Sequence, residues 1–214
     1  MFNTCVIRRS LRLLLSLPAA AALFAADTQL LRSFEATGGT VKFIATTNIG
    51  AISIHGQSNA LVGHVQAQPS GGQINVDQLE ARLDPKSLST GMSMRDEHMR
   101  NKIFAVGDAI PELKFAAGKV QCPHPELAKE TACQVQGTFT MRGIAKPFAI
   151  ALKVRQAGQG AFKVSGEGRI RLTAFGVEPP CQLGVCVSDE VQLKLEFQAR
   201  ELQQSSQLQG GGHQ

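Results

Sequence analysis

From residue 191 to residue 200 the chain reads VQLKLEFQAR, in which Val191, Leu193, Leu195, Phe197 and Ala199 alternate strictly with Gln192, Lys194, Glu196, Gln198 and Arg200. Successive side chains of a strand leave opposite faces, so this period of two predicts a strand with one apolar and one wet face. PFAIALKV repeats the pattern with Phe148, Ile150, Leu152 and Val154, and GTFTM adds Phe139 and Met141. Val41, Phe43 and Ala45 form an earlier face of the same kind, Ile52 and Ile54 follow it, and Leu113 with Phe115 make another short run. VRQAGQGAFKV, which carries Phe162, reads as a Gly-bearing hairpin turn between Val154 and Val164. Asn-Ile-Gly and Pro-Ser-Gly-Gly breaks separate the earlier runs and imply antiparallel strands joined by turns. Many short, half-wet strands predict an all-β domain, either a barrel or a sandwich.

One segment breaks the alternation with helical spacing, MSMRDEHMRNKIF at 92–104. On a helix begun near Ser93, whose hydroxyl is placed to cap it with Asp96 three residues on, Met99 and Ile103 are i, i+4 neighbours. Met92 falls on the same stripe and Phe104 ends it. Asp96 lies close to this stripe and Arg95 at its edge, so both charges need partners or water. The expected element is a short amphipathic helix over about 93–104, packed at one end of the strand assembly. Its methionines serve as core filler or as an adaptable lining for an apolar ligand.

The N-terminal stretch does not share these patterns. Arg8, Arg9 and Arg12 precede an apolar run from Leu13 to Leu17, and small residues follow from Ala19 to Ala26. This order predicts a secretory signal peptide over 1–26, with the domain at 30–202 and a polar, disordered tail at 203–214. Arg12 sits where a twin-arginine signal wants an apolar residue, which favours ordinary Sec export. The apolar run is too short for an integral membrane span. Setting the signal aside lowers the formal charge from +5 to +2, because it carries three arginines and no acid. Nothing then resembles a nucleic-acid stripe or a polybasic membrane patch.

Export also changes the meaning of the cysteines, since an oxidising compartment favours disulfides. Beyond Cys5 the chain has Cys122, Cys133, Cys181 and Cys186. Three connectivities exist in principle; the local bridges Cys122 to Cys133 and Cys181 to Cys186 are favoured, because CPHPELAKETAC and CQLGVC are short turn-bearing loops. A four-cysteine metal site would want tighter knuckles, so no metal is expected. The chain lacks G-x-S-x-G, H-E-x-x-H and G-x-x-x-x-G-K, and its five histidines are scattered, so neither an enzyme nor a cofactor is expected. His98, beside Asp96 and Glu97, is the one histidine worth testing for a metal or acid–base role. With eleven Phe and no Trp or Tyr, the interior can be apolar throughout without N–H or O–H groups to satisfy.

STGMSMRDEHMRNKIF (89–104), PELKF (111–115), GTFTMRGIAKPFAIAL (137–152), FGV (175–177) and VSDEVQLKL (187–195) occur in that order. Together they resemble the YceI-like, polyisoprenoid-binding family of bacterial periplasmic proteins, over roughly residues 34–200. The resemblance implies a lipocalin-like antiparallel β-barrel whose apolar channel holds a polyisoprenoid, an isoprenoid quinone or another long-chain amphiphile. Candidate channel residues are Phe43, Ile52, Ile54, Phe115, Phe139, Met141, Phe148, Ile150 and Leu152 in the strands, with Leu193, Leu195 and Phe197 near the C-terminus. Met92, Met99, Ile103 and Phe104 join them from the helix, and Phe162 and Phe175 from the turns. Arg95, Asp96 and His98 are the polar residues of the family motif. Ile110 stands where the family usually has an aromatic, Ala174 where it often has Asp, and the cysteine loops look like additions. The competing expectation is a filled barrel acting as a non-catalytic interaction module; the sequence leaves homodimer formation open.

Overall fold

The structure is a computed structural model that describes residues 30–125 and 129–203. The expected signal segment and the tail from residue 204 onward lie outside the described residues. The strands are β1 Arg32–Thr47, β2 Ser53–Ser70, β3 Gln73–Leu83, β4 Leu113–Ala117, β5 Val120–Pro123, β6 Thr131–Met141, β7 Ile144–Gly158, β8 Ala161–Arg171, β9 Cys181–Gln182 and β10 Val185–Glu201. Between β3 and β4 the chain forms a 3-10 turn, Pro85–Ser87, and one α-helix, α1, Ser93–Met99, which runs on into a π turn, Arg100–Phe104. A second 3-10 turn, Leu172–Phe175, follows β8.

The strands hydrogen-bond in the order β1-β2-β3-β4-β6-β7-β8-β10, and β10 pairs again with β1, so eight antiparallel strands close into a barrel. β5 continues β4 along β3, and β9 forms a small hairpin with β10. Closure leaves no open edge along the main wall. Two of the hairpins turn in two residues, and both central residues have positive φ as the tightest antiparallel turns require. These are Gly71 and Gly72 between Ser70 and Gln73, and Arg142 and Gly143 between Met141 and Ile144.

Inward alternation builds two apolar clusters at different depths. At the end bearing the β7–β8 turn, Cys133, Val135, Ile150, Leu152 and Val164 fill the barrel. At the end bearing α1, a larger cluster includes Phe104, Phe139, Met141, Leu172, Phe175 and Val191, all buried. Cys122 and Cys133 form a disulfide joining β5 to β6, and Cys181 and Cys186 form one across the β9–β10 hairpin, as the spacing led us to expect. Among the described residues no helix is long and apolar enough to cross a membrane.

Most of the wall strands were legible as alternation, but β3 was not. Between Gln66 opposite Gln78 and Ala67 opposite Val76 the register slips by one residue, so the apolar set passes from Ile74 and Val76 to Leu79, Ala81 and Leu83. A bulge of this kind changes the parity of inward positions and breaks a strict period of two.

Candidate functional site

The half of the barrel under α1 encloses a cavity of about 930 Å³. Its walls come from inward positions of all eight barrel strands, among them Phe43, Ile54, Leu83, Phe115, Phe139, Phe148, Ile170 and Leu193. Three of the aromatic rings lie against bare backbone. A Cβ on Gly168 would stand 2.5 Å from Cζ of Phe148, one on Gly137 would stand 2.7 Å from Cε2 of Phe115, and one on Gly56 would fall on the Phe43 ring. Glycine inside a strand marks such close approaches. It lets each ring lie back on the wall instead of standing into the lumen. Phe148 meets Phe115 edge-on at 5.8 Å between centroids and Phe139 at 5.5 Å, a spacing at which rings attract beyond simple burial.

α1 and the β9–β10 hairpin frame the mouth. Met92, Met94, Arg95, His98 and Met99 line the cavity from the helix, and Pro180 to Leu183 with Val185 line it from the hairpin. Met94 is 82% exposed and Leu183 98%, so the apolar lining continues outward onto the surface at this point. Asn48 holds the hairpin: its Nδ2 donates to the Gly184 carbonyl at 3.0 Å and its Oδ1 accepts from the Cys186 N–H at 2.9 Å.

The helix is seated by a buried carboxylate. Asp96, 5% exposed, accepts hydrogen bonds from the Ser89 hydroxyl at 2.7 Å, the Thr90 N–H at 2.7 Å and the Thr90 hydroxyl. Ser89 in turn exchanges two backbone hydrogen bonds with Gln57 of β2, both 2.9 Å, so Asp96 ties α1 to the wall. Burial on its own raises the Asp96 carboxyl, but the bonds from Thr90 and Ser89, with the nearby Arg100 charge, outweigh it and hold it below the ordinary carboxylate value. Arg142 Nη1 donates to the Ile103 carbonyl at 3.3 Å and anchors the far end of the segment. The 3-10 turn after β8 is held in the same way. Asp189 accepts from the Thr173 N–H at 2.8 Å, the Thr173 hydroxyl at 2.9 Å and Arg171 Nε at 2.9 Å. The Thr173 N–H bond is the main cause of its lowered carboxyl pKa.

These contacts correct the expected cap. Ser93 is the first helical residue and does not cap; Met92 occupies the N-cap without a side-chain bond. Ser89 and Thr90 instead supply the polar groups before the helix, and they point at Asp96. Met92 is also less enclosed than a core stripe implies, at 57% exposed, although it borders the cavity.

Of the candidate channel residues, Phe43, Ile52, Ile54, Met92, Met99, Ile103, Phe104, Phe115, Phe139, Met141, Phe148, Ile150, Leu193 and Leu195 border the cavity. Leu152 instead packs into the filled cluster, with Phe197 against it. Phe162 meets Phe34 edge-on at 5.5 Å, far from the mouth, and Phe175 stands behind Phe139, perpendicular at 5.6 Å. Arg95 and His98 border the cavity, whereas Asp96 turns away toward Ser89 and Thr90. Ala81, Leu83, Leu88, Ile170 and Leu172 also line it and were not anticipated. Val164-x-Gly166-x-Gly168-x-Ile170 alternates in the sequence and could have placed Ile170.

Comparison with known proteins places this arrangement. A family model described as the YceI-like domain matches residues 31–199. A UPF0312 protein of Pseudomonas syringae pv. syringae is 29% identical over 119 residues, covering 53% of this chain and 57% of that protein. Protein YceI of Salmonella arizonae is 26% identical over 119 residues, covering 52% and 56%. The matched region spans about half the length of these curated relatives. Among solved structures, Burkholderia cenocepacia BcnA superposes with a TM-score of 0.59 at 19% identity, covering 75% of this chain and 95% of that one. A polyisoprenoid binding domain from Saccharophagus degradans gives 0.60 at 12% identity, covering 80% and 98%. At such identities the structural likeness is one of fold.

Proposed function

Because this chain belongs to the YceI-like family, we propose that it is an exported, periplasmic lipid-binding protein. It holds a polyisoprenoid, an isoprenoid quinone or another long-chain amphiphile in the barrel, as carrier, reservoir or stress-protection factor. The observation that carries this is the cavity itself: about 930 Å³, walled by aliphatic and aromatic side chains and continuous with an exposed apolar mouth. At about 30 Å³ per group, the share of one water molecule in the liquid and close to the size of a methylene group, it accommodates on the order of 30 such groups. Each methylene removed from water contributes about 0.8 kcal/mol, reduced by the cost of ordering the chain. An extended hydrocarbon needs no hydrogen-bond partner, and this wall offers few. The fold relative from Saccharophagus degradans, named as a polyisoprenoid binding domain, supports the same class of ligand. The reading assigns no reaction to the chain. A filled barrel working as an interaction module would need an interior without such a space.

The test is mass spectrometry of an organic extract from the exported protein, purified without detergent, beside native mass spectrometry of the intact complex. A stoichiometric long-chain species is the expected result. Ile150→Trp, which places an indole at the inner end of the cavity, should lower that occupancy while the barrel still folds. A native protein that carries no lipid and takes up neither prenyl nor acyl chains would refute the proposal.

A further inference from the structure

The ionisable residues bordering the cavity are Arg82, Arg95, His98, Lys114 and Lys194, with no aspartate or glutamate among them. Three of these cations already have partners outside: Arg82 pairs with Glu80 at 3.4 Å, Lys114 with Glu112 at 3.9 Å and Lys194 with Glu167 at 3.2 Å. Arg95 and His98 differ. Among the described residues neither has a carboxylate within ion-pair distance, and at i, i+3 on α1 they are neighbours on one helix surface.

Arg95 is also held in one orientation. Its Nε donates to the Thr90 hydroxyl at 2.9 Å and its Nη2 to the Thr90 carbonyl at 3.0 Å. The same hydroxyl donates to Asp96 Oδ1, so the buried carboxylate fixes Thr90 and Thr90 fixes the guanidinium. A guanidinium has five N–H donors in a planar fork. Thr90 uses two, which leaves three, at Nη1 and Nη2, on a side chain that borders an apolar space. A planar fork of this kind matches a carboxylate or phosphate with two parallel bonds.

We infer that Arg95, assisted by His98, forms an anion subsite at the mouth that receives the carboxylate or phosphate head of an amphiphile whose chain lies in the cavity. The inference rests on the chain-binding reading and narrows it, from any long-chain molecule to one with a negatively charged head. Thr90 and Asp96 are positioning residues.

Palmitate and cetyl alcohol, which share a chain and differ in the head, provide the test by displacement of a fluorescent probe at neutral pH. Native protein should bind palmitate roughly 10- to 100-fold tighter than the alcohol, the range for hydrogen bonds to a charged group. In Arg95→Gln the acid-to-alcohol ratio should fall to near one, and Arg95→Lys should restore part of it, because lysine keeps the charge without the fork. Equal binding of both by native protein, or a ratio retained in Arg95→Gln, would overturn the assignment. So would displacement of palmitate by inorganic phosphate alone at comparable concentration, since the site would then serve a free anion. If neither amphiphile binds, the chain-binding reading fails first and takes this inference with it.

Discussion

Asp96→Ala removes the acceptor on which three hydrogen bonds converge, from the Ser89 hydroxyl, the Thr90 N–H and the Thr90 hydroxyl. The two hydroxyls keep the bonds they accept, Ser89 Oγ from the Gly91 N–H at 3.1 Å and Thr90 Oγ1 from Arg95 Nε, and their own hydrogens can rotate toward another acceptor. The Thr90 N–H has no such alternative, and stranding a donor costs about 1–3 kcal/mol. The lost charge-assisted bonds bring the expected destabilisation to about 3 kcal/mol, the lower end for breaking a buried charged network. For a domain of this size each kcal/mol moves Tm by about 2–4 °C, so Tm should fall by about 6–12 °C. Urea titration followed by circular dichroism, with calorimetry beside it, measures both quantities. Asp96→Asn keeps one oxygen for Thr90 and should lose about half as much. A loss below about 1 kcal/mol in Asp96→Ala, at an unchanged denaturant slope, would show that the carboxylate does not seat α1 and would refute the positioning chain behind Arg95.

Both Asp96 and Asp189 have carboxyl pKa values below the ordinary range, so the stability they contribute is present above about pH 3.9 and is lost as pH falls through their folded values. Unfolding free energy should therefore decline as pH drops below about 5, with a shallower decline in Asp189→Asn; equal slopes in the two proteins would contradict this. Gly168→Ala brings a methyl to within 2.5 Å of Phe148 Cζ, so the ring must leave the wall, at an overpacking cost of about 1–3 kcal/mol. Pairing it with Phe148→Ala should relieve that clash, making the double variant more stable than the sum of the singles; simple additivity would mean that the ring does not rest on this glycine.

Alternation on its own left barrel and sandwich open, and the family resemblance chose the closed barrel; the alternation itself was legible in β7 and β10, which pair with β6 and β8 without register slips through the segments read. It was illegible in β3, where a bulge at Asp77 shifts the apolar parity, and in β8, where Gly166 and Gly168 hold inward positions but present no apolar side chain. The cavity border was largely readable for the same reason as the strands. Its depth was not: Leu152 and Phe197 alternate exactly as Ile150 and Leu195 do, and only their height along the barrel decides whether they border space or fill it. The helix and its start near Ser93 were found from the spacing of Met99 and Ile103, but its cap was misassigned. Ser93 has the right residue type for a cap, while Ser89 and Thr90 do their bonding through a carboxylate several residues further on.

The filled cluster of Cys133, Val135, Leu152 and Val164 stops the barrel at the end away from α1. A chain held in the barrel as proposed would have a single door. It must go in tail first and come out head first, along the same path, with no through-passage from one membrane or partner to another. Loading and unloading then share one barrier, set by how α1 and the hairpin yield, and a longer tail meets a floor instead of a second opening. On the proposed function, chains too long for that floor would fold back or leave their head end outside, and the depth of the barrel would act as a ruler on what it retains.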